Sequence, residues 1–200
     1  MSGADGYRGF RGSRGDGSEV TALRFMVQSV LSEVATAAVV RVVDVSNNGE
    51  VKPPGTISVQ LLVHQIDGVG NAHPHGTIFN VPYKRNQCGP HGIIMDPKAG
   101  DIGVIVCASR DISSVKVNKG DASPPGSFRR HDLADALYIG TVIAKDPPTQ
   151  YMQFTDDGMA LLTPKKLTIK CDVLEINADS SITLTSPIVT VKSPNFSSGA

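Results

Sequence analysis

The stretch YMQFTDDGMALLTPKKLTIKCDVLEINADSSITLTSPIVTVK, residues 151–192, carries one short pattern six times. An apolar residue, any residue and a second apolar residue recur at Met152-Gln153-Phe154, Ala160-Leu161-Leu162, Leu167-Thr168-Ile169, Leu174-Glu175-Ile176, Ile182-Thr183-Leu184 and Val189-Thr190-Val191. The connections hold turn-forming or polar types: Asp156-Asp157-Gly158, Thr163-Pro164, Cys171-Asp172, Asn177-Ala178-Asp179 and Ser186-Pro187. Alternation at a period of two makes each triplet a short strand with one apolar face. A repeat of seven or eight residues is too short for a helical pair or a propeller blade. It points to stacked short strands, as in a β-helix or β-prism.

Such a stack is not self-sufficient, because burying two apolar side chains per layer does not offset the entropy of ordering the whole segment. The missing hydrogen bonds and the second apolar wall can come from other copies of the same chain. Three strand layers that close a triangular prism leave no open sheet edge. The pattern therefore predicts an obligate homotrimer with a narrow needle over 149–192. Its inward positions are Met152, Phe154, Leu162, Leu167, Ile169, Leu174, Ile176, Ile182, Leu184, Val189 and Val191. Thr168, Lys170, Glu175, Thr183 and Thr190 face outward. A single-chain β-helix is the competing arrangement, and six short strands without a capping segment weigh against it.

Two hundred residues suit one domain of ordinary size plus an extended piece. Nineteen basic residues balance nineteen acidic ones, so no global field draws the chain to nucleic acid or anionic lipid. Cys88, Cys107 and Cys171 are odd in number and widely spaced, which argues for buried free thiols in a reducing compartment rather than a disulfide framework. The N-terminus has no apolar core of the signal-peptide kind, and no run approaches the ~20 apolar residues of a membrane-spanning helix.

Residues 1–20 are Gly-rich, with Arg8, Arg11 and Arg14 spaced by three. This reads as a flexible lead-in, with an RNA-binding arm as the sharper alternative. An amphipathic helix follows over 21–37. There Leu23, Met26, Val27, Val30, Leu31 and Val34 recur at helical spacing, with Ser18 as a candidate cap. It packs either on its own domain or on a neighbouring protein. From 38 to 148 the chain alternates between strands and loops, with strands expected at 38–46, 56–64, 77–81, 92–95, 102–109 and 137–143. Asn47-Asn48-Gly49, Pro53-Pro54-Gly55 and the turn Pro97-Lys98-Ala99-Gly100-Asp101 punctuate them. Five or six strands with one long excursion, Asp111 to Asp135, fit a small Greek-key barrel of the oligonucleotide/oligosaccharide-binding (OB) type. The expected class is thus all-β: an OB-like barrel with a short N-terminal helix, then a trimeric intertwined needle.

Several blocks resemble one family. They are Met26-Val27-Gln28-Ser29-Val30-Leu31 leading into Ala38-Val39-Val40-Arg41-Val42-Val43, His64-Gln65-Ile66-Asp67-Gly68, Asp96-Pro97-Lys98-Ala99-Gly100-Asp101-Ile102-Gly103, Ala108-Ser109-Arg110-Asp111-Ile112 and Asp132-Leu133-Ala134-Asp135-Ala136. In this order, followed by the repeats, they look like the central spike, or membrane-puncturing, proteins of contractile phage tails. The resemblance spans roughly residues 26–155. It implies a structural virion protein of the tail baseplate, made in the host cytoplasm. Its partners would be two further copies, the hub proteins above the barrel, and the host outer membrane on contraction. The same resemblance covers the spike of a phage-tail-like bacteriocin or of a type VI secretion device. Spikes of this family commonly end in a His-x-His apex that binds iron. No His follows Val191, so the metal-capped tip is not carried over, and residues 193–200 leave the tip either blunt or supplied by a separate protein. Six strand layers at about 4.8 Å give a shaft near 25–30 Å, shorter than the about 40–45 Å of a bilayer with headgroups.

No catalytic residue, cofactor or metal is assigned. His73-Pro74-His75 with Cys88-Gly89-Pro90-His91 supplies zinc-ligand types, but twelve residues intervene between the two groups, which lie in Gly- and Pro-rich loops. No Gly-x-Ser-x-Gly elbow is present, and Asp156-Asp157 is explained by its turn, so enzymatic activity is not expected. The alternative function is an OB protein that binds single-stranded nucleic acid, which needs a basic groove with aromatic platforms. The barrel offers Phe79, Tyr83, Phe128 and Tyr138, and Asp121 to Arg130 is a conceivable phosphate-contacting loop.

Overall fold

Apolar side chains at every second position, bounded by Gly, Pro and Asn turns, set the strands of the larger unit. The computed structural model describes residues 19–47, 49–67 and 69–192. The lead-in, its Arg8, Arg11 and Arg14, the Ser18 cap and the segment 193–200 lie outside the described residues. The chain divides into two compact units between Pro147 and Pro148.

In the first unit, helix α1 (Glu19–Ser32) precedes strands β1 (Ala37–Val45), β2 (Thr56–Leu61), β3 (Gln65–Ile66), β4 (Ala72–His73), β5 (Thr77–Pro82), β6 (Asn86–Cys88), β7 (His91–Ile93) and β8 (Ile102–Cys107). A short helix α2 (Ser113–Val117), a 3-10 turn (Leu133–Asp135) and strand β9 (Ala136–Ile143) complete it. The architecture is mostly strands with one main helix, so the class is all-β. α1 stops at Ser32, short of the expected end. There the Glu33 and Val34 N–H groups turn back to Val30 and Leu31 carbonyls three residues away, which tightens the last turn out of α-helical register.

β5, β2, β1, β8 and β9 form one sheet in that order, each neighbouring pair antiparallel. Register shifts interrupt the β1–β2, β2–β5 and β8–β9 pairings, and such bulges bend and twist a sheet. The two sheet edges meet. Tyr83, just past β5, bridges Tyr138 of β9 in parallel, and the Lys84 N–H donates to the Tyr138 carbonyl at 2.8 Å. The enclosed core is Val40, Val42, Ile57, Val59, Val81, Tyr83, Ile105, Cys107, Ala136 and Tyr138. Gly100, at φ +98°, makes the turn into β8 and donates its N–H to the Val42 carbonyl. The expectation of buried thiols holds for Cys107, whose thiol is pushed up by burial. Cys88 and Cys171 are exposed, because β6 is half of a small surface hairpin and Cys171 lies in the second unit.

The second unit contains one hairpin, β10 (Tyr151–Thr155) with β11 (Gly158–Leu162), closed at Asp156-Asp157. Among the described residues it has no other strand. The triplets at 167–169, 174–176, 182–184 and 189–191 therefore form no ladder within one chain. A strand needs a neighbour to accept its hydrogen bonds, and one copy supplies none there.

Candidate interaction surfaces and buried anchors

Not one residue from 148 to 192 is buried. Met152, Phe154, Leu162, Leu167, Ile169, Leu174, Ile176, Ile182, Leu184, Val189 and Val191 are all exposed apolar side chains. The hairpin register refines which of them share a face. Met152 lies opposite Leu161 and Phe154 opposite Met159, whereas Leu162 lies opposite Tyr151. Cross-strand partners point to the same side, so Leu161 and Met159 continue the Met152–Phe154 face and Leu162 is on the other. The triplet pattern at 160–162 hid this, because both of its alternating sets are apolar. A run of apolar residues this long and uncovered marks an interaction surface.

The first unit holds two buried ionic anchors that sequence reading missed. In the first, Asp96 Oδ1 accepts from the Tyr83 hydroxyl at 2.8 Å and from Arg85 Nε at 3.1 Å, while Oδ2 accepts from the Gly49 N–H at 3.1 Å. The Arg85 and Asp96 side chains are 2% and 3% exposed. Arg85 Nη1 also donates to the Lys52 carbonyl, and Asn47 Nδ2 donates to the Tyr83 hydroxyl and the Pro53 carbonyl. One cluster thus bolts the 47–53 turn and the 96–101 turn to the end of β5. Burial pushes the Asp96 carboxyl up most strongly of any single effect. The hydrogen bonds from Arg85, Tyr83 and Gly49 together outweigh it and hold the group below its ordinary range. Asp96→Asn leaves a buried guanidinium without its anion, and the expected result is a melting temperature lower by roughly 10 °C. A change within ~2 °C in a thermal scan would show the pair to be solvated.

The second anchor stitches down the 111–135 excursion. Asp111 accepts from the Ser113 N–H at 2.8 Å and the Ser127 hydroxyl at 2.5 Å. Asp135, which is buried, accepts from the Ile112 N–H at 3.1 Å. Arg129, 41% exposed, bridges the two carboxylates at 3.2 and 3.3 Å. Hydrogen bonds from Ser113 and Ser127, with the Arg129 charge adding to them, hold the Asp111 carboxyl well below the usual carboxylate range. A depressed carboxyl contributes stability above its unfolded value of about 3.9 and loses it as the pH falls toward the folded value. The melting temperature of this unit is therefore expected to be level from about pH 8 to pH 5 and to fall on acidification below about pH 4. A midpoint unchanged at pH 3 would contradict the assignment.

Three of the sequence blocks that carried the resemblance contain Asp96, Asp111 and Asp135, so those blocks hold loops onto the sheet. Arg129 is committed to two carboxylates, which argues against 121–130 as a phosphate-contacting loop. Tyr83 and Tyr138 belong to the core, which leaves Phe79 and Phe128 exposed of the four aromatics offered by the barrel. His73 sits 3.0 Å from Asp67, and Cys88 pairs with His91 across the β6–β7 hairpin. Among the described residues no group of three or more His, Cys, Asp or Glu is arranged to hold a metal ion. No helix of the described residues is long and apolar enough to cross a membrane. No protein-family model matches the chain. No curated protein matches it significantly either.

Proposed function

We propose that this chain is the central spike of a contractile tail, a homotrimer whose C-terminal needle is driven mechanically through the host outer membrane. The observation that carries the reading is the segment 151–192, which repeats an apolar alternation six times and buries none of it within one copy. Three copies wound about a common axis cover that surface and supply the absent hydrogen bonds.

The sheet supports assigning an OB barrel to the first unit. Among its five strands the first pairs with the second and the fourth, the second with the third, and the fourth with the fifth, while the third and fifth meet in parallel. Five antiparallel strands whose outer members meet are what a Greek-key OB barrel asks for. In the needle the role of the side chains is resistance to bending and separation, with no chemistry assigned to any of them. The hub proteins of a baseplate, a separate tip protein and the outer membrane are the partners this role calls for. Spikes of phage-tail-like bacteriocins and type VI secretion devices fall within the same proposal.

The competing role, binding of single-stranded nucleic acid, is disfavoured by the zero net charge and by the burial of Tyr83 and Tyr138. Sedimentation of the purified protein at low concentration tests the proposal directly. The expected species has three times the 21.1 kDa chain mass. A folded single chain, or tight retention of labelled single strands on a filter at low salt, would replace the spike with a ligand-binding barrel.

A further inference from the structure

An Asp followed by Gly is a sequence at which a peptide chain attacks its own side chain. The Gly amide nitrogen reaches the Asp carboxyl carbon, because no Cβ on the following residue stands in its way. Among the described residues Asp67 and Asp157 each precede a Gly. The fold treats the two in opposite ways.

Asp67 lies at the end of β3, where its carboxylate gathers the connection to β4. Its Oδ1 accepts from the Val69 and Asn71 N–H groups, each at 2.9 Å, and its Oδ2 accepts from Asn71 Nδ2 at 3.0 Å and lies 3.0 Å from His73 Nε2. The Asp67 N–H donates in turn to the Asn71 carbonyl at 3.0 Å. Both oxygens are held, and the hydrogen bonds from His73 and Asn71 keep the carboxyl well below the usual carboxylate range. A group fixed in this way stays ionised, which makes it a poor electrophile, and it cannot swing toward the next nitrogen.

Asp157 has no such cage. It is exposed in the two-residue turn that joins β10 to β11, and its carboxylate has no hydrogen-bond or ionic partner among the described residues. Gly158 follows at φ +135°, and a Cβ built there would have nothing within 4 Å. This hairpin is the one strand pair of the second unit among the described residues, and nothing from 148 to 192 is buried. A two-stranded hairpin without a packed face is marginal in water. The Thr155–Gly158 rung therefore opens at small cost and frees the Gly158 nitrogen.

We propose that Asp157 is a self-modification site, at which chains whose tail is uncovered convert to isoaspartate. The Gly158 nitrogen bonds to Cγ of the protonated carboxyl and gives up its proton, and the carboxyl hydroxyl departs with that proton as water. A five-membered imide remains, and water opens it at either carbonyl. Attack at the Cγ carbonyl restores Asp, whereas attack at the backbone carbonyl leaves the chain running through the side chain. Mass and charge are unchanged, but the backbone has gained a methylene. A two-residue turn fixes the pairing register, so the added atom displaces the rungs from Thr155–Gly158 to Tyr151–Leu162. Winding three copies together locks the hairpin and slows the reaction; this part rests on the trimeric reading proposed above.

The test incubates full-length chains in warm neutral buffer, the parent beside Ile176→Asp, which bars trimer formation. Ile169→Asp combined with Ile176→Asp serves where the single substitution still trimerises. Peptide mapping reads isoaspartate as a retention shift at unchanged mass, and Asp157→Glu, which forms no five-membered imide, is the blank. The single-chain variant is expected to accumulate isoaspartate at Asp157 at least about tenfold faster than at Asp67, as an opening free energy lower by about 1.4 kcal/mol implies. The parent trimer is expected to lag behind it at Asp157 by a similar factor. Equal rates at Asp67 and Asp157, or no isoaspartate at Asp157 in the single-chain variant, would overturn the site. Equal rates at Asp157 in variant and parent, with the parent sedimenting as a trimer, would overturn the locking. A parent that sediments as a single chain and modifies Asp157 as fast as the variant would leave the site standing and remove the trimer, and the spike proposal with it.

Discussion

Ile176→Asp is expected to yield a protein that no longer trimerises but keeps a folded first unit. Ile176 lies in the middle of the repeats, in Leu174-Glu175-Ile176, and is exposed in the single chain. In a threefold needle its three copies meet near the axis, so the substitution brings three carboxylates into one apolar layer. An unpaired charge removed from water costs several kcal/mol even after relaxation, and three of them also repel one another. No side chain of opposite charge in the adjoining inward positions, Leu174 and Ile182, relieves this. Glu175→Gln, at the outward position of the same triplet, is the control and is expected to sediment like the parent. A soluble trimer of Ile176→Asp would show that the inward set is misassigned. A melting transition of the first unit near its parental temperature separates a broken needle from a misfolded chain.

Gly103→Ala is expected to unfold the first unit or lower its melting temperature by more than 10 °C. Gly103 is buried in β8, paired with Val40 on one side and Thr141 on the other. A Cβ there would overlap the backbone carbonyl oxygen of Gly140 and two atoms of the Tyr138 ring and hydroxyl. Overpacking a core ordinarily costs about 1–3 kcal/mol. Here one obstacle is backbone and the other is a ring that is itself fully buried, so neither can swing aside. Tyr138 is also the residue at which the two sheet edges meet, so displacing it opens the sheet where β9 meets the end of β5. Gly76→Ala makes a fair comparison, because a Cβ at that position has nothing within 4 Å. Equal melting temperatures for the two variants would mean that β9 yields easily.

The strands of the large sheet were legible because each is a run of at least five residues rich in β-branched and apolar types, bounded by turn residues: expected strands at 38–46, 56–64, 77–81, 102–109 and 137–143 correspond to β1, β2, β5, β8 and β9. The expected strand at 92–95 overlaps β7 only at Gly92 and Ile93, and the rest of the β3–β4 and β6–β7 hairpins was harder. Gln65-Ile66 pairs with Ala72-His73, and Asn86-Gln87-Cys88 with His91-Gly92-Ile93. Segments of two or three mostly polar residues carry no period to read. The buried anchors were hidden for a different reason. Arg85 and Asp96 are eleven positions apart and Asp111 and Asp135 twenty-four, and only the folded sheet brings such residues together. Asn47 read correctly as a turn residue, yet it is buried and bonded to Tyr83. Turn chemistry and burial are separate properties, and local sequence reports only the first. In the tail the repeat itself was plain. The facing of Leu161 against Leu162 was not, because apolar residues occupy both sides of that strand and pairing alone decides between them.

The head of this chain encloses a core built from its own strands, and the tail encloses nothing. If the tail orders only among three copies, as proposed, the two parts mature by kinetics of different order. Closing the sheet is unimolecular and proceeds at the same rate however dilute the protein is. Ordering the tail awaits collisions between chains, so its rate climbs steeply with their number. Strong synthesis thus favours the finished assembly, whereas scarce synthesis leaves finished heads trailing unpaired, greasy tails that are open to proteases and to clumping.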